Sequence, residues 1–230
     1  MRIIITDLTK FNKKDIVCIA GINPKTNECI RPRPYIAKKD CQKRNILPGA
    51  IIEGKFTSYP YTAPHTEDRN RSLLTFRGPC SSEEFKHLLK NTSIDSVEEG
   101  FGIQFADGQK YIPHNNPPDL SIITLTLYPD QLYMVKDKYN KLRVNFTQHS
   151  KEFSFLSVTD LRFCNYAERN LIDDNLYELN NFIHTQQEIY LRLGLSRLYK
   201  NEKDGRSGFW LQVNGIYTFP EYFKKIRCYE

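Results

Sequence analysis

The chain has 230 residues, 40% of them hydrophobic and 26% charged, with a net charge of +6. That balance is globular rather than disordered, and no apolar run approaches the length of a membrane-spanning helix. The mild basic excess is compatible with a polyanionic partner without requiring one.

At this length one large or two small domains can form a core. Tyr and Phe number 14 each, alanine is scarce, and isoleucine and threonine crowd the apolar runs, which favours β structure. Six cysteines are present, at Cys18, Cys29, Cys41, Cys80, Cys164 and Cys228. None forms a C-x-x-C pair, so neither zinc nor another metal is expected, and no cofactor is implied. The opening MRIIITDLTKF reads as a first strand rather than a secretory signal. The expectation is a cytoplasmic protein with reduced, buried structural thiols and no membrane association.

Arg2–Thr6 and Asp15–Gly21 are the first strand candidates. Asn23-Pro24 to Asn27 supplies turn chemistry and Glu28–Arg31 resumes extended structure, which together predict a hairpin. Arg31-Pro32-Arg33-Pro34 forces a non-helical backbone. Ala50–Thr57 is another strand. Ser81 and Glu84 form a capping box, with Phe85, Leu88 and Leu89 at helical spacing behind it, and a shorter helix is expected over 95–99. His114–Asp119 (HNNPPD) is the best internal boundary. Beyond it, Leu120–Tyr128 alternates as a strand. Tyr133–Lys138 and Lys141–Phe146 flank a turn at Tyr139-Asn140, and Thr159-Asp160 can cap a helix reaching Asn170. Residues 173–184 are ambiguous between states. Glu188–Tyr199 and Ser207–Val213 read as two strands joined by the polar loop 200–206. Each half thus offers about five short strands and one or two helices, a content that suits two tandem OB-like small β-barrels, mainly β with minor α. The expected division is 1–118, a barrel with a helical insertion, and 119–230, a second barrel.

Three clusters could carry chemistry. Arg31–Arg44 (RPRPYIAKKDCQKR) has six basic residues against one acid, so Arg31, Arg33 and Lys38 could hold phosphates and Tyr35 could stack. The bland reading is a solvated basic loop. Tyr59–Arg71 (YPYTAPHTEDRNR) reads as a proline-marked loop that gathers Tyr59, Tyr61, His65, Glu67, Asp68, Arg69 and Arg71. His65 with Glu67 or Asp68 is the best general acid–base candidate, but no nucleophile motif lies nearby, so a structural or binding role is preferred over catalysis. The third cluster combines Arg192 and Arg197 with the tail segment FWLQVNGIYTFPEY, Phe209–Tyr222. Its alternation is expected to put rings on one strand face and the amides Gln212 and Asn214 on the other. Trp210 could stack a base and the amides could read base edges. Ordinary core packing is the bland reading for Trp210. No glycine-rich phosphate loop and no G-x-S-x-G elbow occurs.

ITDLTKF, DIVCIAGIN, ECIRPRP, APHTED, LRLGLSR and WLQVNGIYTFP, spread from Ile5 to Pro220, resemble the prokaryotic dual OB domain proteins. The resemblance implies two OB-like barrels in tandem, nucleic-acid binding, and a setting in bacterial defence or conflict systems that would supply a protein partner. It carries no catalytic residue. The expected function is binding of single-stranded or exposed nucleotides, DNA or RNA. The alternatives are a nucleotide- or nucleic-acid-processing enzyme centred on His65, Glu67 and Asp68, and a protein-interaction module.

Overall fold

A computed structural model describes residues 1–11, 15–170, 176–202 and 204–229. The first half contains β1 (Arg2–Lys10), β2 (Ile16–Ile22), β3 (Cys29–Arg33), β4 (Ile36–Ala37), α1 (Lys38–Lys43), β5 (Ala50–Ser58) and β6 (Asp68–Pro79). β1 pairs antiparallel with both β2 and β5. β2 continues to β3, β3 lies parallel to β6, and β6 returns antiparallel to β5. The ring therefore closes in the order β1-β2-β3-β6-β5-β1, with α1 in the connection between its third and fourth strands. That is the circuit of an OB barrel. Ile3, Ile5, Leu8, Val17, Ile19, Ile30 and Ile52 fill it, and Cys41 of α1 packs among them.

A connecting segment follows: α2 (Ser82–Asn91), β7 (Ser93–Ile94), α3 (Val97–Phe101) and β8 (Tyr111–Pro113). The Ser81 hydroxyl caps α2 by accepting from Glu84 N at 3.0 Å. The Glu84 carboxylate does not return the bond as a full capping box would; it pairs with Arg2 at 2.7 Å. β7 and β8, although they precede residue 118, hydrogen-bond to strands of the second sheet, β9 and β15.

The second half contains β9 (Ile122–Leu127), a 3-10 turn at Pro129–Gln131, β10 (Leu132–Lys136), β11 (Leu142–Gln148), β12 (Lys151–Val158), α4 (Leu161–Asn170), α5 (Leu176–His184), β13 (Glu188–Leu195), β14 (Tyr199–Lys200) and β15 (Ser207–Phe219). The sheet runs β10-β11-β12-β15-β13-β9, and its pairing of β12 with β15 is parallel. Because β9 and β10 are halves of one strand broken at Pro129, this is the same OB circuit, with α4 and α5 between its third and fourth strands. Leu125, Leu132, Val144, Phe146, Phe153, Leu191, Leu193, Leu211 and Val213 form its core. Asp160 caps α4 through Oδ1, which accepts from Arg162 N and Phe163 N at 2.8 and 3.1 Å. Residues 173–175 of the ambiguous segment lie outside the described residues, and 176–184 form α5.

Two expectations need correction. Asp68–Arg71 are not loop but the start of β6, a twelve-residue strand. In β15, Phe209, Leu211 and Val213 point into the core, while Trp210 and Gln212 are only partly buried. A period of two therefore puts the tryptophan on the amide face, not opposite it.

Candidate functional site

The two barrels meet across buried charge. Arg192 of β13, 2% exposed, donates from Nε and Nη2 to Asp7 Oδ2 of β1 at 3.0 and 2.8 Å, and from Nη1 to Thr124 Oγ1 at 2.7 Å. Arg31 of β3, 5% exposed, donates to Asp68 Oδ1 at 2.6 Å and to Ser121 Oγ at 3.2 Å. Glu67 accepts from Ser121 N, Ser121 Oγ and Ile122 N at 2.6, 2.8 and 3.0 Å. Tyr217 OH donates to the Thr6 carbonyl, and Thr9 bridges Asp160. Charges this deep persist only when paired. Arg31, expected to hold phosphate, and Arg192, expected on the nucleic-acid-binding surface, are therefore enclosed by carboxylates and hydroxyls of the fold. Asn214 is enclosed too: its Oδ1 accepts from Thr159 Oγ1 at 3.0 Å, and its amide occupies the space a side chain at Gly194 would need.

His65 is 3% exposed, packs edge-on against Phe209 with centroids 5.9 Å apart, and has no hydrogen-bond partner on either ring nitrogen. Burial first, then the positive charges of Arg197 and Arg31, push its pKa down to about 3. A catalytic base works best with a pKa near the operating pH. Burial pushes the Asp68 carboxyl up, but Arg31 and Arg197 outweigh this and hold it below its usual range. His65, Glu67 and Asp68 do converge, but as an enclosed junction with both carboxylates engaged. Among the described residues no cluster of His, Cys, Asp and Glu is suited to a metal ion. All six cysteines are free thiols, two of them buried and four partly so.

OB barrels present ligands on the face of strands two and three and on the loops joining strands one to two and four to five. In the first barrel the latter loop is 59–67; in the second it is 196–206, carrying β14. These two loops meet. Arg197, 44% exposed, reaches from the second barrel to Asp68 Oδ2 at 2.8 Å and to Tyr35 OH at 3.2 Å. Next to it, the Arg33 guanidinium lies 3.9 Å from the Tyr35 ring centroid and 5.5 Å from that of Tyr59. Arg33 Nε and Nη1 are shielded from solvent and have no acceptor. Tyr61 is exposed on the same loop. Arg69 is tied to Glu28 at 2.6 Å, Arg71 donates to the Pro34 carbonyl at 2.8 Å, and Lys38 is half-buried at the start of α1.

On the second barrel, Trp210 pairs through its backbone with Ser196, the neighbour of Arg197. Its ring stacks on Tyr111, with centroids 5.0 Å apart and planes 27° apart, and Arg206 lies over both rings at 5.0 and 5.3 Å. Gln212 follows on the same face, half-buried. Lys110 is held below the usual lysine range by burial first, then by Arg143 and Arg206. Sequence reading missed Lys110, Tyr111, Arg143 and Arg206 as members of this surface. The signal available for Lys110 and Tyr111 was their place beside the proline-rich boundary, where a short strand can pair with β15.

A separate apolar hollow of about 400 Å³ is lined among others by Phe76, Phe85, Phe182, Phe223 and the seam residue Tyr217, and shares no residue with the aromatic and basic surface. No helix among the described residues is long and apolar enough to cross a membrane.

Two closed OB circuits sharing one buried ionic seam define a tandem OB protein. The chain belongs to the dual OB-containing domain family, whose model matches residues 1–216. No curated protein matches it. A solved structure of a murine DNA-binding protein bound with double-stranded DNA aligns with 95% of this chain and 96% of its own, at 10% identity and a TM-score of 0.33, a likeness too slight to argue from.

Proposed function

We propose that this protein binds nucleic acid, with single strands or exposed nucleotides as its ligand, along the surface where the two four-to-five loops meet and on the adjoining face of the second barrel. The observation that carries the reading is the Tyr111–Trp210 stack under Arg206, beside the four-to-five loop of the second barrel, which ends at Arg206. Flat rings accept any base, and cations beside them attract the backbone. Arg33 and Arg197 supply further positive charge beside the Tyr35 and Tyr59 rings. Tyr35, Tyr61 and Gln212 complete the surface. The family resemblance extends the proposal to a role in bacterial defence with a protein partner.

The test is binding of labelled single- and double-stranded DNA and RNA at two salt concentrations. The wild type should bind single strands with an affinity that falls as salt rises. Trp210→Ala should weaken binding by about 1–3 kcal/mol, the usual value of one stacked base. Arg33→Ala combined with Arg197→Ala should flatten the salt dependence. Unchanged affinity and slope in both variants would remove the surface from consideration.

A further inference from the structure

β12 is the third strand of the second barrel, and it contains an irregularity that alternation does not explain. Val144 pairs with Leu156 and Phe146 with Phe153, so Ser154 and Phe155 together oppose the single residue Asn145. This is a β-bulge. Phe155 occupies it with φ +56°, the left-handed region that suits glycine and that a bulky side chain seldom adopts. The conformation is held by its own N–H, which donates to Oδ1 of the buried Asn145 at 2.7 Å. The result is a phenylalanine ring left 50% exposed on the outside of the barrel. Both the backbone conformation and the ring's exposure are locally unfavourable, and a glycine at 155 would remove both.

The ring's surroundings show what the exposure serves. Lys110 Nζ lies 5.8 Å from the Phe155 centroid and donates to the Ser154 carbonyl at 3.1 Å. Lys110 also senses Arg143 and Arg206, and Arg206 is the cation over the Tyr111–Trp210 stack. Arg143 and Arg206 each have one carboxylate partner, Asp137 and Asp204. An apolar ring beside a lysine is poorly suited to an apolar protein partner, whereas a ring with a cation at its edge suits a base and its phosphate.

We infer that Phe155 and Lys110 form a second nucleotide position, in which Phe155 stacks an unpaired base and Lys110 holds its phosphate. The inference rests on the nucleic-acid reading above and deepens it. A paired base offers no free face to the ring, so the ligand it selects is single-stranded, with at least two neighbouring bases exposed.

The experiment is fluorescence anisotropy with labelled oligo-dT, oligo-U and a duplex of matched length, run beside thermal unfolding of each variant. Phe155→Gly should keep or raise the melting temperature while losing on the order of 5- to 150-fold in single-strand affinity. Phe155→Trp, which keeps a ring at the same place, should bind within about threefold of wild type, a difference well under one stacked base. Phe155→Asn, which also tolerates the left-handed region without offering a ring, should repeat the glycine loss if the glycine variant folds poorly. Wild type that binds single strands, together with glycine and asparagine variants that bind equally well, overturns this position and leaves the broader reading intact. Wild type that binds no oligonucleotide at the lower salt overturns both.

Discussion

Replacing Arg192 by methionine tests the seam between the barrels most directly. In the native protein Asp7 Oδ2 accepts two bonds from Arg192 and one from Thr6 Oγ1 at 2.7 Å, while Oδ1 has no partner. Both side chains of the pair are 2% exposed, so screening by solvent is small. Arg192→Met leaves a buried carboxylate with a single neutral hydrogen bond. Breaking one side of such a pair costs about 3–5 kcal/mol. For a chain of this size each kcal/mol lowers the melting temperature by roughly 2–4 °C, so the expected drop is about 6–20 °C. The assay is urea and thermal unfolding, followed by far-UV circular dichroism and by fluorescence of Trp210, across the cycle of wild type, Asp7→Leu, Arg192→Met and the double variant. The double variant should recover most of the loss, because no lone charge remains. A single variant within about 1 kcal/mol of wild type, or a double variant less stable than either single, would refute the reasoning.

Two further outcomes follow from the buried junction and the sheet. His65 has a native pKa of about 3 against about 6.5 unfolded, so the unfolded chain binds the extra proton between those values. Stability should therefore fall as pH drops from 6.5 towards 3, by at most about 1.4 kcal/mol per pH unit from this residue, and His65→Gln should flatten the dependence of the urea midpoint on pH between 7 and 4; an equally steep profile in the variant sinks the assignment. At Gly194 an added Cβ would run into the Asn214 amide. Gly194→Ala should cost about 1–3 kcal/mol by thermal unfolding, and adding Asn214→Ala should restore part of it by clearing the space; no recovery would mean the clash is not the cause.

Legibility varied with how locally each feature is encoded. β1, β2 and β3 were readable because β-branched runs and the Asn23–Asn27 turn are local signals, and Asn140, with φ +57°, marks the β10–β11 turn as its residue type suggests. β6 was not readable. Its positions alternate mostly between half-buried and exposed, and its pairing with β5 shifts register twice, so no strict apolar period survives in the sequence. β12 was hidden by the Phe155 bulge, which breaks the period inside the strand. The site divided along the same line. Arg197 was legible as a loop cation because loop chemistry is local, whereas Trp210 was assigned to the face opposite the amides although a period of two puts it with Gln212. Arg31 and Arg192 resembled surface cations because their partners lie 37 and 185 residues away, and burial of a charge becomes visible only with its partner in view.

The first barrel also draws on distant parts of the chain. Leu161 packs in its core, and Tyr229 covers that core while its hydroxyl donates to the Ile46 carbonyl at 2.9 Å. During synthesis the amino-terminal strands leave the ribosome long before Leu161, Arg192 and Tyr229 exist. Until then this half holds a carboxylate at Asp7 without its counterion and a hydrophobic interior without its lid. Its maturation has to wait for translation of the second half, so a fragment ending near the proline-rich boundary should expose apolar surface and favour chaperone contact over autonomous folding.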